Sequence, residues 1–128
     1  MDMLGYIRDE LLADDYISSQ IGRRIRAYEY PATGDVSGPF IIIDPLDVPL
    51  PGDYADDTWL TDDYMYQVDV WTKNPHITKE LARRVQLVMW DAGFPQTGGG
   101  ADEYDKDTGI YRDARRYRGK AYRDDINI

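Results

Sequence analysis

Asp62-Asp63-Tyr64-Met65-Tyr66-Gln67-Val68-Asp69-Val70-Trp71-Thr72, followed almost at once by Asn74-Pro75-His76-Ile77, is the stretch from which the architecture can be worked out. Tyr64, Tyr66, Val68 and Val70 alternate with Met65, Gln67, Asp69 and Trp71, the period of a long strand with one face in a core. Asn74 can accept the orphan amides of a helix start, and Pro75 at the first helical position has no amide to lose. Ile77, Leu81, Val85 and Val88 then recur at helical spacing, with Leu87, Met89 and Trp90 widening the stripe, until Gly93 stops the helix.

Upstream, Pro39-Phe40-Ile41-Ile42-Ile43-Asp44 is a compact β-branched run that predicts a strand buried on both faces and closed by Pro45. Arg23 to Tyr30 alternates toward the aromatic tail Tyr28-Glu29-Tyr30 and predicts a strand that stops at Pro31, with Ala32 to Gly38 as a loop. Leu4, Ile7, Leu11 and Leu12 predict a first helix, capped by Asp2 and ending near Ala13. Asp14-Asp15 interrupts it, and Tyr16, Ile17 and Ile21 continue as a short helix to about Gln20, closed by Gly22.

Downstream, Phe94 to Gly100 predicts a flexible joint. Two alternating runs, Asp102 to Lys106 and Gly109 to Gly119, flank Asp107-Thr108 as a hairpin, and the tail after Arg123 is expected to fray. Between the strands lies Asp47 to Thr61, rich in Pro, Gly and Asp, which predicts a long acidic loop, mobile in the isolated subunit and ordered in an assembly. Its Tyr54 and Trp59 offer anchors for a partner. The order of elements predicts an α+β fold: an antiparallel sheet of about four to five strands packed against two main helices, as a single domain over residues 1–128.

Composition closes off much chemistry. The chain has 128 residues, no cysteine and one histidine, so disulfides, thiol nucleophiles, thiolate zinc sites and His pairs are excluded. It contains no long apolar run, and Met1-Asp2-Met3-Leu4-Gly5 lacks the pattern of a signal peptide, which predicts no membrane association and assembly in a cytoplasm. A formal charge of −9 argues against binding a phosphate backbone. That charge is segregated. Residues 27–72 hold ten acids and no base, whereas Arg112 to Arg123 holds six bases against Asp113 alone. This predicts either two differently charged poles or two segments that neutralise each other within one monomer.

The motifs point away from catalysis. Asp14-Asp15, Asp56-Asp57, Asp62-Asp63 and Asp124-Asp125 are adjacent pairs, and neighbouring residues on a strand point to opposite faces instead of converging on one site. Gly98-Gly99-Gly100 precedes a strand and lacks the helix and Lys-Ser or Lys-Thr of a phosphate loop, so it reads as a hinge. Asp105-Lys106-Asp107-Thr108-Gly109 starts like a calcium loop but lacks the twelfth-position Glu. Ser18 and Ser19 have no histidine neighbour, and His76 sits in the first turn of a helix as a solvated or capping residue. No catalytic, cofactor or metal residues are expected. Tyr111-Arg112-Asp113-Ala114-Arg115-Arg116-Tyr117-Arg118-Gly119 interleaves bases with aromatics, which suits a protein contact better than a nucleic acid in so acidic a chain. The expected protein interface is therefore Tyr54, Asp56, Asp57, Trp59, Asp62 and Asp63 together with Arg112, Arg115, Arg116 and Arg118.

Several of these runs carry a family resemblance. Leu11-Leu12-Ala13, Ile21-Gly22-Arg23-Arg24-Ile25, Pro39-Phe40-Ile41-Ile42-Ile43, Tyr66-Gln67-Val68-Asp69-Val70-Trp71, Gly109-Ile110-Tyr111-Arg112 and Arg116-Tyr117-Arg118-Gly119 together resemble the tail-completion proteins of long-tailed bacteriophages. The acidic segment Asp47 to Thr61 departs from that family's short connection. The resemblance implies a non-enzymatic α+β subunit without a cofactor. Such subunits form a homo-oligomeric ring, typically of six copies, that caps the tail tube, meets the head connector or head-closure protein, and lets DNA pass unbound. It implies a virion location and assembly in the host cytoplasm. Other readings remain open: a different phage neck subunit, an acidic DNA-mimicking inhibitor of a host nuclease, and a small carboxylate-dependent hydrolase.

Overall fold

The structure is a computed structural model and describes residues 2–28 and 38–123. Its elements are α1 (Met3–Ala13), α2 (Asp15–Ile21), β1 (Ile25–Ala27), β2 (Phe40–Pro45), β3 (Leu50–Ala55), β4 (Thr58–Thr72), α3 (Pro75–Asp91), β5 (Gln96–Asp105) and β6 (Ile110–Tyr122). This is the expected α+β arrangement, with six strands in one sheet and three helices. The sheet order is β1-β2-β4-β6-β5, and β3 joins β4 beside the end of β2. All pairings are antiparallel except β1 with β2, which is parallel. Glu29 and Tyr30 of the first expected strand, the loop after it, Asp124-Asp125 and the tail lie outside the described residues.

Local signals explain the helices. The Asp2 carboxylate accepts from the Gly5 amide at 2.9 Å and caps α1. Asp14 does the same for α2 through the Ile17 amide at 3.0 Å, so the acid that interrupts the first helix starts the second. Asn74 accepts from the amides of His76 and Ile77 at the start of α3, with Pro75 in its first turn.

One core cluster joins Ile7 and Leu11 of α1, Ile17 and Ile21 of α2, and Leu81, Val85 and Met89 of α3 to Ile41, Ile43, Tyr66, Val68, Val70 and Tyr117 of the sheet. The helices therefore share one face. As the alternation predicts, Tyr66, Val68 and Val70 point into this core. Leu87 and Trp90 do not widen the stripe of α3: they are 42% and 66% exposed. Six residues separate Leu81 from Leu87, about 240° around a helix, which carries Leu87 to the outer side.

Two further expectations are revised. Asp47 to Thr61 is a loop only as far as Pro49: β3 then pairs with the first half of β4, Ala55 opposite Thr58, with Asp56-Asp57 as a two-residue turn. Both turn residues have positive φ, 48° and 62°, the backbone of a type I′ hairpin turn, which Asp tolerates better than most residues. Pro51 is accommodated because β3 is an edge strand. Gly98-Gly99-Gly100 is not a joint but a bulge inside β5, between the pairs Thr97 with Arg116 and Gly100 with Arg115. Gly99 and Gly100 have φ of 95° and 117°, and a Cβ at Gly100 would overlap the Ala114 carbonyl oxygen.

Candidate functional site

The face of the sheet turned away from the helices is covered by charge. Phe40 and Ile42 of β2, Asp69 of β4 and Ala114 of β6 are buried there. Asp69 is fully enclosed and saturated with donors: Arg112 Nε at 2.7 Å, Gln67 Nε2 at 3.0 Å and Trp71 Nε1 at 3.3 Å. Arg112 also reaches Glu103 at 3.1 Å. A buried carboxylate held this way belongs to the architecture, because every strong donor near it is already used.

The β6 arginines expected to form an interface are split by the period of the strand. Arg112, Arg116 and Arg118 lie on the outer face, and Arg115 lies on the helix side. Arg115 grips the buried Asp113 at 2.9 and 3.2 Å and also reaches Gln86. The hydrogen bonds it donates to Asp113 hold the Arg115 guanidinium above its ordinary range, outweighing its burial. Lys79 of α3 also reaches Asp113, at 2.9 Å, and Asp102, at 2.7 Å. Desolvation pulls the Lys79 ammonium down, but these two carboxylates outweigh it and leave the group raised. Among the described residues the Arg116 side chain meets only the neutral Gln67, at 3.1 Å, and the exposed Arg118 lies 3.5 Å from Met65 Sδ.

The acidic residues sit on the β3–β4 hairpin. Asp53 has φ of 48°, and its carboxylate accepts from Lys120 Nζ at 2.6 Å and Thr61 Oγ1 at 3.0 Å. These bonds, Lys120 first, hold the Asp53 carboxyl below its usual range. Asp62 accepts from Trp59 Nε1 at 3.1 Å, and Arg123 lies 3.9 Å from the Trp59 ring centroid while donating to the Trp59 carbonyl. Trp59 is thus held in place while 38% exposed, and Tyr54 opposite it is 71% exposed. Asp56 and Asp57 occupy the exposed turn. One oxygen of Asp63 is enclosed with no hydrogen-bond partner.

The acidic and basic segments therefore meet within the chain, since β4 and β6 are neighbouring strands. Neutralisation inside the monomer takes Asp53, Asp69 and Asp113, together with Arg112, Arg115 and Lys120. The hairpin tip and Arg116 and Arg118 stand outside it. Sequence reasoning missed the Asp69 and Asp113 networks, in which neighbours on the same strand are joined by Arg112 from β6 and by Lys79 from α3. It also missed a shallow depression of about 450 Å³ on the outer side of α2 and α3, lined by Tyr16, Lys79, Glu80, Arg83, Arg84 and Leu87. The position of Leu87 off the α3 stripe was the available signal for that surface. Among the described residues no three of His, Cys, Asp and Glu gather as a metal-binding group, and no helix is long and apolar enough to cross a membrane.

No family model matches the chain, and no curated protein matches it. Among solved structures it is similar to a chain described as "Virion of native gene transfer agent (GTA) particle", with a TM-score of 0.62 and 15% identity over 91% of this chain and 92% of that one. At that identity the likeness shows a shared fold.

Proposed function

We propose that this protein is a structural subunit of a phage-like virion, and that it forms the ring that completes the tail tube and joins it to the head connector. The observation that carries the reading is the fold likeness over nearly the full length of both chains to a component of a gene transfer agent virion. The resemblance of its strand and helix motifs to tail-completion proteins supports the finer role. In this reading the chain is not an enzyme and needs no cofactor. It works in the virion, contacts its own copies, the tail tube and the connector or head-closure protein, and lets DNA through without binding it.

A ring of one subunit joins two different surfaces of neighbouring copies. The hairpin residues Tyr54, Asp56, Asp57, Trp59, Asp62 and Asp63 supply one such surface. Of the basic strand, Arg116 and Arg118 are suited to an outside partner, because their contacts in the chain are uncharged. Arg112 and Arg115 act by holding the sheet in shape. The DNA-mimic reading is weakened by the same geometry, since Lys120 neutralises Asp53 and Asp69 is buried against Arg112.

Inactivating the gene in the particle that encodes it, followed by electron microscopy of the lysate, tests the assignment. Filled heads and separate tails of irregular length are expected. Joined particles in normal yield would overturn the virion role. Tails of normal length beside heads that leak DNA would move the protein to a head-closure role.

A further inference from the structure

The acidic hairpin needs a receptor, and the chain itself carries a surface that matches it. Residues 47–63 hold six aspartates and no base. At the hairpin's end Tyr54 and Trp59 face each other across the two strands. No residue of β3 is buried, and none belongs to the core cluster, so the hairpin's aromatics are offered to solvent. Arg123 and Asp62 hold the Trp59 ring in one orientation, which lowers the entropy lost when it docks.

We infer that this hairpin docks into the depression between α2 and α3 of a second copy, with Trp59 or Tyr54 against Leu87 and Tyr16 and with Asp56 and Asp57 at Arg83. The inference rests on the ring reading and names its contact. Three of the six residues lining the depression are cationic and one is acidic. That acid, Glu80, accepts from the Tyr16 hydroxyl at 2.8 Å and keeps its charge, so it is held at the Tyr16 side of the depression. Lys79 and Arg84 have carboxylate partners in Asp102, Asp113 and Asp14, whereas among the described residues Arg83 contacts only the neutral Gln86, at 3.0 Å. Arg83 therefore carries uncompensated charge beside two exposed apolar side chains, Leu87 and Trp90, which lie at helical spacing along one ridge. An aromatic anchor flanked by carboxylates complements a hollow that sets the Arg83 cation beside the apolar Leu87. The hairpin and the depression are different surfaces, so each copy can give one and receive the other, which propagates a ring. Arg116 and Arg118 are then left for the tail tube or the connector.

The absence of cysteine makes the contact testable by engineered disulfides. The full chain carrying Asp57→Cys and Leu87→Cys, both exposed positions, is incubated with purified tails under mild oxidation and run on a non-reducing gel. A ladder of covalent oligomers is expected. The same chain with Asp57→Cys and Arg118→Cys probes docking on β6 instead. A ladder from that pair alone would overturn the α2–α3 receptor and leave the ring reading intact, as would rings seen by microscopy with no ladder from either pair. Persistent monomers on tails would overturn both. Independently, Arg83→Glu should weaken self-association by about tenfold. Asp57→Lys in the same chain should restore it, and unchanged association in the single variant would count against the contact.

Discussion

The two halves of β4 share one strand period and one partner, β6, but lead different lives. From Tyr66 to Thr72 the strand lies between β2 and β6 with helices on one side, and all but Trp71 are buried. From Thr58 to Asp63 it pairs with β3, joined by β6 only from Thr61 onward, and only Thr61 is buried. The main difference is whether the helices cover the sheet: the covered half supplies stability, and the uncovered half supplies surface.

The comparison breaks most sharply at the buried charge. Arg112→Ala would leave the enclosed Asp69 carboxylate without its cation, and urea unfolding should report a loss of about 3–5 kcal/mol. A loss below about 1 kcal/mol would mean that Asp69 is solvated after all. Next in size, Gly100→Ala forces a positive-φ position and a collision with the Ala114 carbonyl, and should lower stability by about 1–3 kcal/mol. A neutral result there would restore the view of the glycines as a loose joint.

High pH should attack the covered half first. Burial, with smaller contributions from neighbouring charges, raises the Tyr66 phenol from 10.0 to about 12. A folded value above the unfolded one means that the stability contribution is complete below pH 10 and is lost as pH rises from 10 toward 12. Circular dichroism across that range should show alkaline unfolding, and Tyr66→Phe should move it to higher pH. An unmoved midpoint would assign the loss to other groups. The smallest effect belongs to the uncovered half: Tyr54→Ala should change the unfolding free energy by less than about 0.5 kcal/mol while weakening assembly. A larger loss of stability would mean that the hairpin is part of the folding unit.

What the sequence determined by itself is what depends on neighbours along the chain. Asp2, Asp14 and Asn74 cap helices because a side-chain oxygen reaches amides two or three residues on. The apolar alternation from Tyr66 to Val70 and the stripe from Ile77 to Val88 follow from backbone period alone, and with them the α+β architecture. What the tertiary structure decided are the contacts whose partners lie far away in sequence. Whether the acidic and basic segments would repel, separate or neutralise each other depended on β4 and β6 becoming neighbours, which brings Arg112 to Asp69 across 43 residues. The Asp47 to Thr61 segment is polar and proline-bearing by composition, yet it forms a hairpin because β4 extends past β2 and offers it a free edge. Composition measures how much apolar surface a segment can bury, and backbone hydrogen bonds to a neighbouring strand hold this one without burying much.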